Sequence, residues 1–284
     1  VMPAHVAGVE EIMMTRPAQK DGSVYPTTIV AAKEAGVTAI YKVGGAQAIA
    51  AFAYGTSSVP KVDKICGPGN IFVALAKRTV YGHVNIDSVA GPSEILVLAD
   101  KTARADYVAA DLLSQAEHDP MASAIAITDD ADLAQAIAKE VEAQTAVLER
   151  KEIIETSLKD FGAIILVDDM NEAVEIANGI APEHMEISTA EPFSLLPKVK
   201  NAGAVFLGHF SPEPLGDYMA GPNHVLPTGG TARFFSPLSV DDFVKKSSII
   251  SFSKEALLPL SDSIIAFANA EGLTAHANAV RIRK

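Results

Sequence analysis

Short apolar runs rich in Val, Ile and Ala alternate with stretches of helical period along most of this chain. That alternation restricts the fold more than any other feature. The runs fall at residues 11–15, 38–43, 62–66, 95–98, 123–128, 163–167, 185–188 and 204–207. Between them, helical patterns cover residues 27–35, 46–54, 71–81, 103–115, 131–150 and 170–178. Runs that are apolar throughout, rather than at every second position, suit strands buried on both faces. Strand–helix alternation then predicts an α/β fold of parallel, doubly wound sheets. The opening V-M-P-A-H-V-A-G-V reads as the tail of a helix leading into a strand, so the chain is expected to begin inside a domain.

One such unit gives way to another near Ala90-Gly91-Pro92. From 208 to 237 the pattern stops in a stretch dense in Gly and Pro, which reads as a functional loop. Helical patterns return at 241–246 and 254–270, before a basic tip ending Arg281-Ile282-Arg283-Lys284. The expected domains are therefore 1–92 and 93–237, both Rossmann-like, with the first incomplete at its N-terminus, followed by a helical tail at 238–284.

Charge and cysteine usage exclude several classes of function. With 35 acidic and 23 basic residues in 284, the formal net charge is -12. Nucleic acid and anionic membrane surfaces, which call for clustered Lys and Arg, are not expected partners. The single cysteine, Cys66, rules out a disulfide within the chain and fits a reducing cytoplasm. No apolar run approaches the length of a membrane span.

Four polar clusters interrupt the apolar pattern. In Ser114-Gln115-Ala116-Glu117-His118, Gln115 and His118 lie three apart, on one face of a helix, where an amide oxygen and an imidazole nitrogen can hold one cation. A solvated Gln and a His at a helix C-terminus are the plainer alternative. In Ala181-Pro182-Glu183-His184, a Glu-His pair at a strand entrance suits proton transfer, and a solvated turn is the alternative. The loop from Leu215 to His224 carries Asp217, a hard oxygen ligand. In the tail, Glu271 and His276 have no polar partner nearby in sequence, which also fits a structural histidine. A mixed nitrogen and oxygen set suits Zn²⁺, with Mn²⁺ or Co²⁺ acceptable.

The strings V-G-G-A-Q-A-I-A-A, G-P-G-N, A-G-P-S-E, L-L-S-Q-A-E-H, A-P-E-H, G-D-Y, G-P-N-H-V-L-P-T and E-G-L-T-A-H occur in this order from Val43 to His276. In sequence and order they resemble histidinol dehydrogenase, a family whose chain is longer at its N-terminus. The resemblance implies an NAD-dependent, four-electron oxidation of L-histidinol to L-histidine through L-histidinal, with one Zn²⁺ per subunit of a homodimer. It implies Gln115, His118, Asp217 and His276 as zinc ligands, with His276 donated across the interface on the exchanged tail, as is Glu271. It implies Glu183 and His184 as the proton-transfer pair. Ser93, His224 and Glu271 become substrate-contacting positions, beside Gln115, His118, His184, Asp217 and His276. Gln47 and Asn70 become NAD contacts, on the 1–92 side.

Read from residues alone, the cofactor signal is a tight turn. Gly67-Pro68-Gly69-Asn70 follows a strand pattern and opens a helix, but Phe72 stands where G-x-G-x-x-G needs its third glycine. Cys66 beside it reads as a small buried residue at a strand end rather than a nucleophile. Two rivals remain: a relative that oxidises another alcohol such as sulfopropanediol, and an inactive metal-binding fragment.

Overall fold

The computed structural model describes residues 1–284. They form two compact units, Val1–Phe243 and Val244–Lys284.

The first unit opens with α1 (Met2–Val6), β1 (Met13–Thr15), α2 (Pro26–Glu34) and β2 (Ala39–Tyr41), with β1 and β2 paired in parallel. After α3 (Gly45–Tyr54), a second parallel ladder joins β3 (Lys64–Ile65) to β4 (Asn85–Ile86) across α4 (Ile71–Val80). Residues 1–92 thus carry two short ladders where a larger sheet was expected. One core binds them: Ile49, Phe52 and Ala53 of α3 meet Ile65, Val80 and Val84, with Met13 and Tyr41 packed against them. Beside it lies an ion pair between Lys77 and Asp87, both almost fully buried. Lys77 Nζ also donates to the Gly67 carbonyl at 2.9 Å, and Gly67 N–H donates to Asp87 at 2.7 Å, so the pair pins the turn before α4.

Residues 94–207 build a five-stranded parallel sheet in the order β7-β6-β5-β8-β9. Its elements are β5 (Glu94–Ala99), α5 (Ala105–Ala116), β6 (Ser123–Thr128), α6 (Ala131–Thr145), α7 (Lys151–Phe161), β7 (Gly162–Leu166), α8 (Met170–Ile180), β8 (His184–Ser188), α9 (Pro192–Leu195) and β9 (Ala204–Leu207). Strands are laid outward on one side of β5, and the chain then crosses to its other side. That is the doubly wound arrangement predicted from the alternation. The central strand reads E-I-L-V-L-A, and Leu96 to Ala99 are fully buried, which an apolar run lacking polar alternation requires. Ile95, Val97 and Ala99 face α5 and α7, whereas Leu96 and Leu98 face α8. In register, Ile95 neighbours His184 and Val97 neighbours Glu186, so His184 and Glu186 both lie on the α5 face.

Two sequence expectations are corrected. The helical pattern expected at 131–150 is one helix that ends at Thr145, and α7 (Lys151–Phe161) is a further helix beyond the pattern. The 15-residue α6 already spans about 22 Å at about 1.5 Å per residue, enough to cross the sheet. The stretch 208–237 contains α10 (Glu213–Tyr218) and a 3₁₀ turn, Thr231–Arg233, and a further 3₁₀ turn, Val240–Phe243, closes the unit.

The second unit holds α11 (Lys254–Leu257), a 3₁₀ turn Leu258–Leu260, α12 (Ser261–Ala270) and α13 (Thr274–Arg281). Pro259 interrupts the helix expected over 254–270, because it lacks the N–H that continuation needs. No helix in the chain is long and apolar enough to cross a membrane.

Candidate functional site

Three of the four polar clusters converge on the N-terminal edge of the five-stranded sheet. Glu94 is the first residue of β5 and His184 the first of β8, its immediate neighbour. Pro182 disfavours right-handed helix at the residue before it, so α8 ends there. Ala181 adopts φ 56, a left-handed conformation uncommon outside glycine, while its N–H still reaches the Ala177 carbonyl at 2.8 Å. The bend turns Pro182-Glu183-His184 into the strand entrance, and residues 181–189 are all buried. Gly203 makes room for this turn: a Cβ there would lie 2.5 Å from the Glu183 carbonyl oxygen.

Glu94 organises the pair. Its N–H donates to Glu183 Oε2 at 3.0 Å, and its own Oε2 accepts from Glu183 N–H at 3.2 Å. Glu94 Oε1 accepts from Gly229 N–H at 2.9 Å, and Gly91 N–H donates to Thr228 Oγ1 at 2.6 Å. Two separate sequence strings, A-G-P-S-E and the T-G-G turn, are thereby held together. His184 Nδ1 lies 2.9 Å from the Glu94 carbonyl oxygen. A carbonyl only accepts, so Nδ1 carries the proton and neutral His184 presents a bare Nε2 lone pair.

Burial sets the electrostatics. It pushes the Glu183 carboxyl up to about 8, with the charges of Glu94, Glu213 and Asp217 adding to the effect. It also holds His184 below the usual imidazole range, which keeps the ring neutral. Glu94 is raised by burial as well, against its two backbone hydrogen bonds. Two groups with opposed shifts, side by side at 3.7 Å, suit sequential proton transfers.

Beyond His184 stands α10. Glu213 Oε1 sits 3.6 Å from His184 Nε2 and has no hydrogen-bond partner, although Glu213 is only 2% exposed. Burial and Asp217 raise its carboxyl to about 7. Ligating atoms of His184, Glu213 and Asp217 all lie within 4.8 Å of one another. Gln115, 1% exposed at the end of α5, lies beside Glu213. His118, exposed just past α5, and His224 both lie close enough to disfavour charge on His184. An orphaned buried carboxylate oxygen among crowded acids and imidazoles is the setting a divalent cation relieves, and the nitrogen and oxygen donors suit zinc.

The structure therefore brings together Gln115, His118, Glu183, His184, Asp217 and His224, with half-buried Ser93 one residue before Glu94. Glu271 and His276 are exposed residues of the second unit, at the end of α12 and in α13. Gln47 is exposed in the first turn of α3. Asn70 caps α4, its side-chain oxygen accepting from Phe72 N–H at 3.1 Å and Val73 N–H at 3.2 Å. Cys66 is exposed rather than buried, because its strand ends at Ile65. Crowding and Asp87 still push its thiol up to about 11, so little thiolate forms near neutrality. Sequence reading missed Glu94 and Glu213. Each had a signal: an acid opening a wholly buried strand, and an acid four residues before Asp217, on the same helix face.

The family model for histidinol dehydrogenase matches residues 1–284. The chain belongs to the histidinol dehydrogenase family. It is 60% identical over 282 residues to histidinol dehydrogenase from Clostridium acetobutylicum, covering 99% of this chain and 65% of that one. It is 64% identical over 282 residues to the enzyme of that name from Caldanaerobacter subterraneus subsp. tengcongensis, again covering 65% of that chain. A crystal structure of histidinol dehydrogenase from Elizabethkingia anophelis superposes with a TM-score of 0.93 at 41% identity, over 99% of this chain and 65% of that chain. The chain thus spans about two thirds of the length of these histidinol dehydrogenases.

Proposed function

We propose that this chain carries the metal and proton-transfer centre of an enzyme that oxidises L-histidinol to L-histidine through L-histidinal, with two NAD⁺ consumed in succession. The observation that carries the reading is His184: a neutral imidazole with Nδ1–H fixed on the Glu94 carbonyl, Nε2 free, and Glu183 beside it. Gln115, His118 and Asp217 would hold one zinc ion per subunit, completed by His276 of the partner subunit in a homodimer. When bound, the ion supplies positive charge that fixes the imidazole and amine of the substrate. The partner subunit's Glu271 would contact the amine, and Ser93 and His224 would line the same pocket.

In the first oxidation His184 Nε2 takes the carbinol hydroxyl proton while the carbon gives its hydride to NAD⁺, leaving the aldehyde. Glu183, as carboxylate, then takes a proton from water as that water adds to the aldehyde, while His184 returns its proton to the former carbonyl oxygen. The resulting hydrate loses a hydroxyl proton to His184 and a hydride to the second NAD⁺, giving the carboxylic acid. NAD would be met by Gln47 and Asn70, at the N-termini of two ten-residue helices in the 1–92 part, where backbone N–H groups favour phosphate.

The test is NADH production from L-histidinol with added Zn²⁺, comparing this chain with His184→Asn. Turnover that the variant loses supports the reading. Turnover of sulfopropanediol without histidinol redirects the substrate, and zinc binding without turnover identifies an incomplete piece of the enzyme.

A further inference from the structure

Two helices bear the ligands proposed above: α5 carries Gln115 and leads to His118, and α10 carries Asp217. They approach the site from different parts of the chain, and something must set their separation. One turn before Gln115 is Asp111, and one turn before Asp217 is Glu213. Glu186, 4% exposed in the middle of β8, touches both positions. Its Oε1 accepts the Glu213 backbone N–H at 2.8 Å, and its carboxyl lies within hydrogen-bonding reach of the Asp111 carboxyl. Two carboxyl groups bonded to each other need one shared proton, since a carboxylate only accepts. Burial pushes both groups upward, which keeps that proton in place.

Resting on the metal reading above, we propose that Glu186 is a positioning residue, a strut from the sheet that ties α5 to α10 and sets Asp217 against Gln115 and His118. It lies two residues along the strand from His184, on the same face of the sheet, so one strand aligns both the ligand-bearing helices and the imidazole. A charge is not what the strut needs. Its geometry asks for one acceptor toward Glu213 N–H and one donor toward Asp111, and a glutamine supplies both.

The experiment is zinc affinity, read by competition with a chromophoric chelator, for the unaltered chain, Glu186→Gln, Glu186→Leu and Asp111→Leu. Removing a residue that orients ligands weakens metal binding about 10- to 100-fold, so both leucine variants should fall in that range and Glu186→Gln stay within about threefold of the unaltered chain. Asp111→Leu tests the strut from its other end should Glu186→Leu not fold. Unchanged affinity in the leucine variants overturns the proposal. An equal loss in Glu186→Gln also overturns it, by showing that charge rather than the hydrogen-bonded bridge is used. No zinc binding by the unaltered chain defeats the metal reading itself, and the strut's purpose with it.

Discussion

Glu183→Gln should stabilise the metal-free chain, and by an amount that grows with pH. Glu183 is 8% exposed, and its carboxyl is pushed from 4.5 up to about 8 in the fold. Between those values the folded chain keeps a proton that the unfolded chain releases. Stability therefore falls with rising pH by about 1.4 kcal/mol per unit. The window is 8 − 4.5 = 3.5 units, so the accumulated penalty is at most about 5 kcal/mol. Below 4.5 both states are protonated, and above 8 the penalty is constant. Glutamine keeps an oxygen for the Glu94 N–H and has no charge to desolvate. Urea unfolding of both proteins from pH 5 to 9 reads the difference. Subtraction cancels the similar contributions of Asp111, Glu186 and Glu213. Zinc added to the unaltered chain should shrink the difference, since a cation favours the carboxylate. A difference that stays flat from pH 5 to 9 would refute burial of Glu183 as the cause.

In catalysis, the same Glu183→Gln variant should release L-histidinal rather than L-histidine, detected by aldehyde trapping during NADH production. His184→Asn should lose the first oxidation by about 100- to 10,000-fold, the usual worth of a positioned proton acceptor, measured as kcat with L-histidinol. Gly203→Ala drives a Cβ to 2.5 Å from the Glu183 carbonyl oxygen and should lower kcat while zinc affinity holds. Asp87→Ala strands the buried Lys77 and should cost about 3–5 kcal/mol in urea unfolding, because an unpaired charge then remains in the interior.

The fold was legible where each element answers one demand. The runs at 123–128 and 204–207 coincide with β6 and β9, since the strands of a parallel sheet packed between helices are largely apolar on both faces. The pattern failed at α7, a helix that follows directly on the end of the 131–150 pattern and was not marked by it. Site residues showed a similar division. Gln115 with His118, and Glu183 with His184, are visible because they are neighbours in sequence. Glu94 and Glu213 were missed because their value comes from contacts 89 and 27 residues away in sequence, to Glu183 and Glu186. No local spacing encodes such pairs.

The side of the sheet on which the site sits has a physical reason and a test. Doubly wound sheets usually bind ligands at the carboxyl ends of their strands, where helix N-termini favour phosphate. Here the acids and imidazoles gather at the opposite edge. The helices α5 and α8 run back against the strands, so their C-termini arrive there, and exposed carbonyl ends carry partial negative charge. That edge suits a cation and repels a pyrophosphate. Phosphate-friendly helix starts lie instead at Gly44-Gly45 and at Gly67 to Asn70, beside the proposed NAD contacts. Metal and dinucleotide should thus be separable by mutation. Asp217→Asn is expected to lose at least about tenfold in zinc affinity, as a lost ligand or its support does, with NAD affinity by calorimetry unchanged. Gln47→Ala should do the reverse. If Asp217→Asn weakened both ligands equally, the pyrophosphate would have to lie against the acidic edge, and the division of labour argued from helix direction would be wrong.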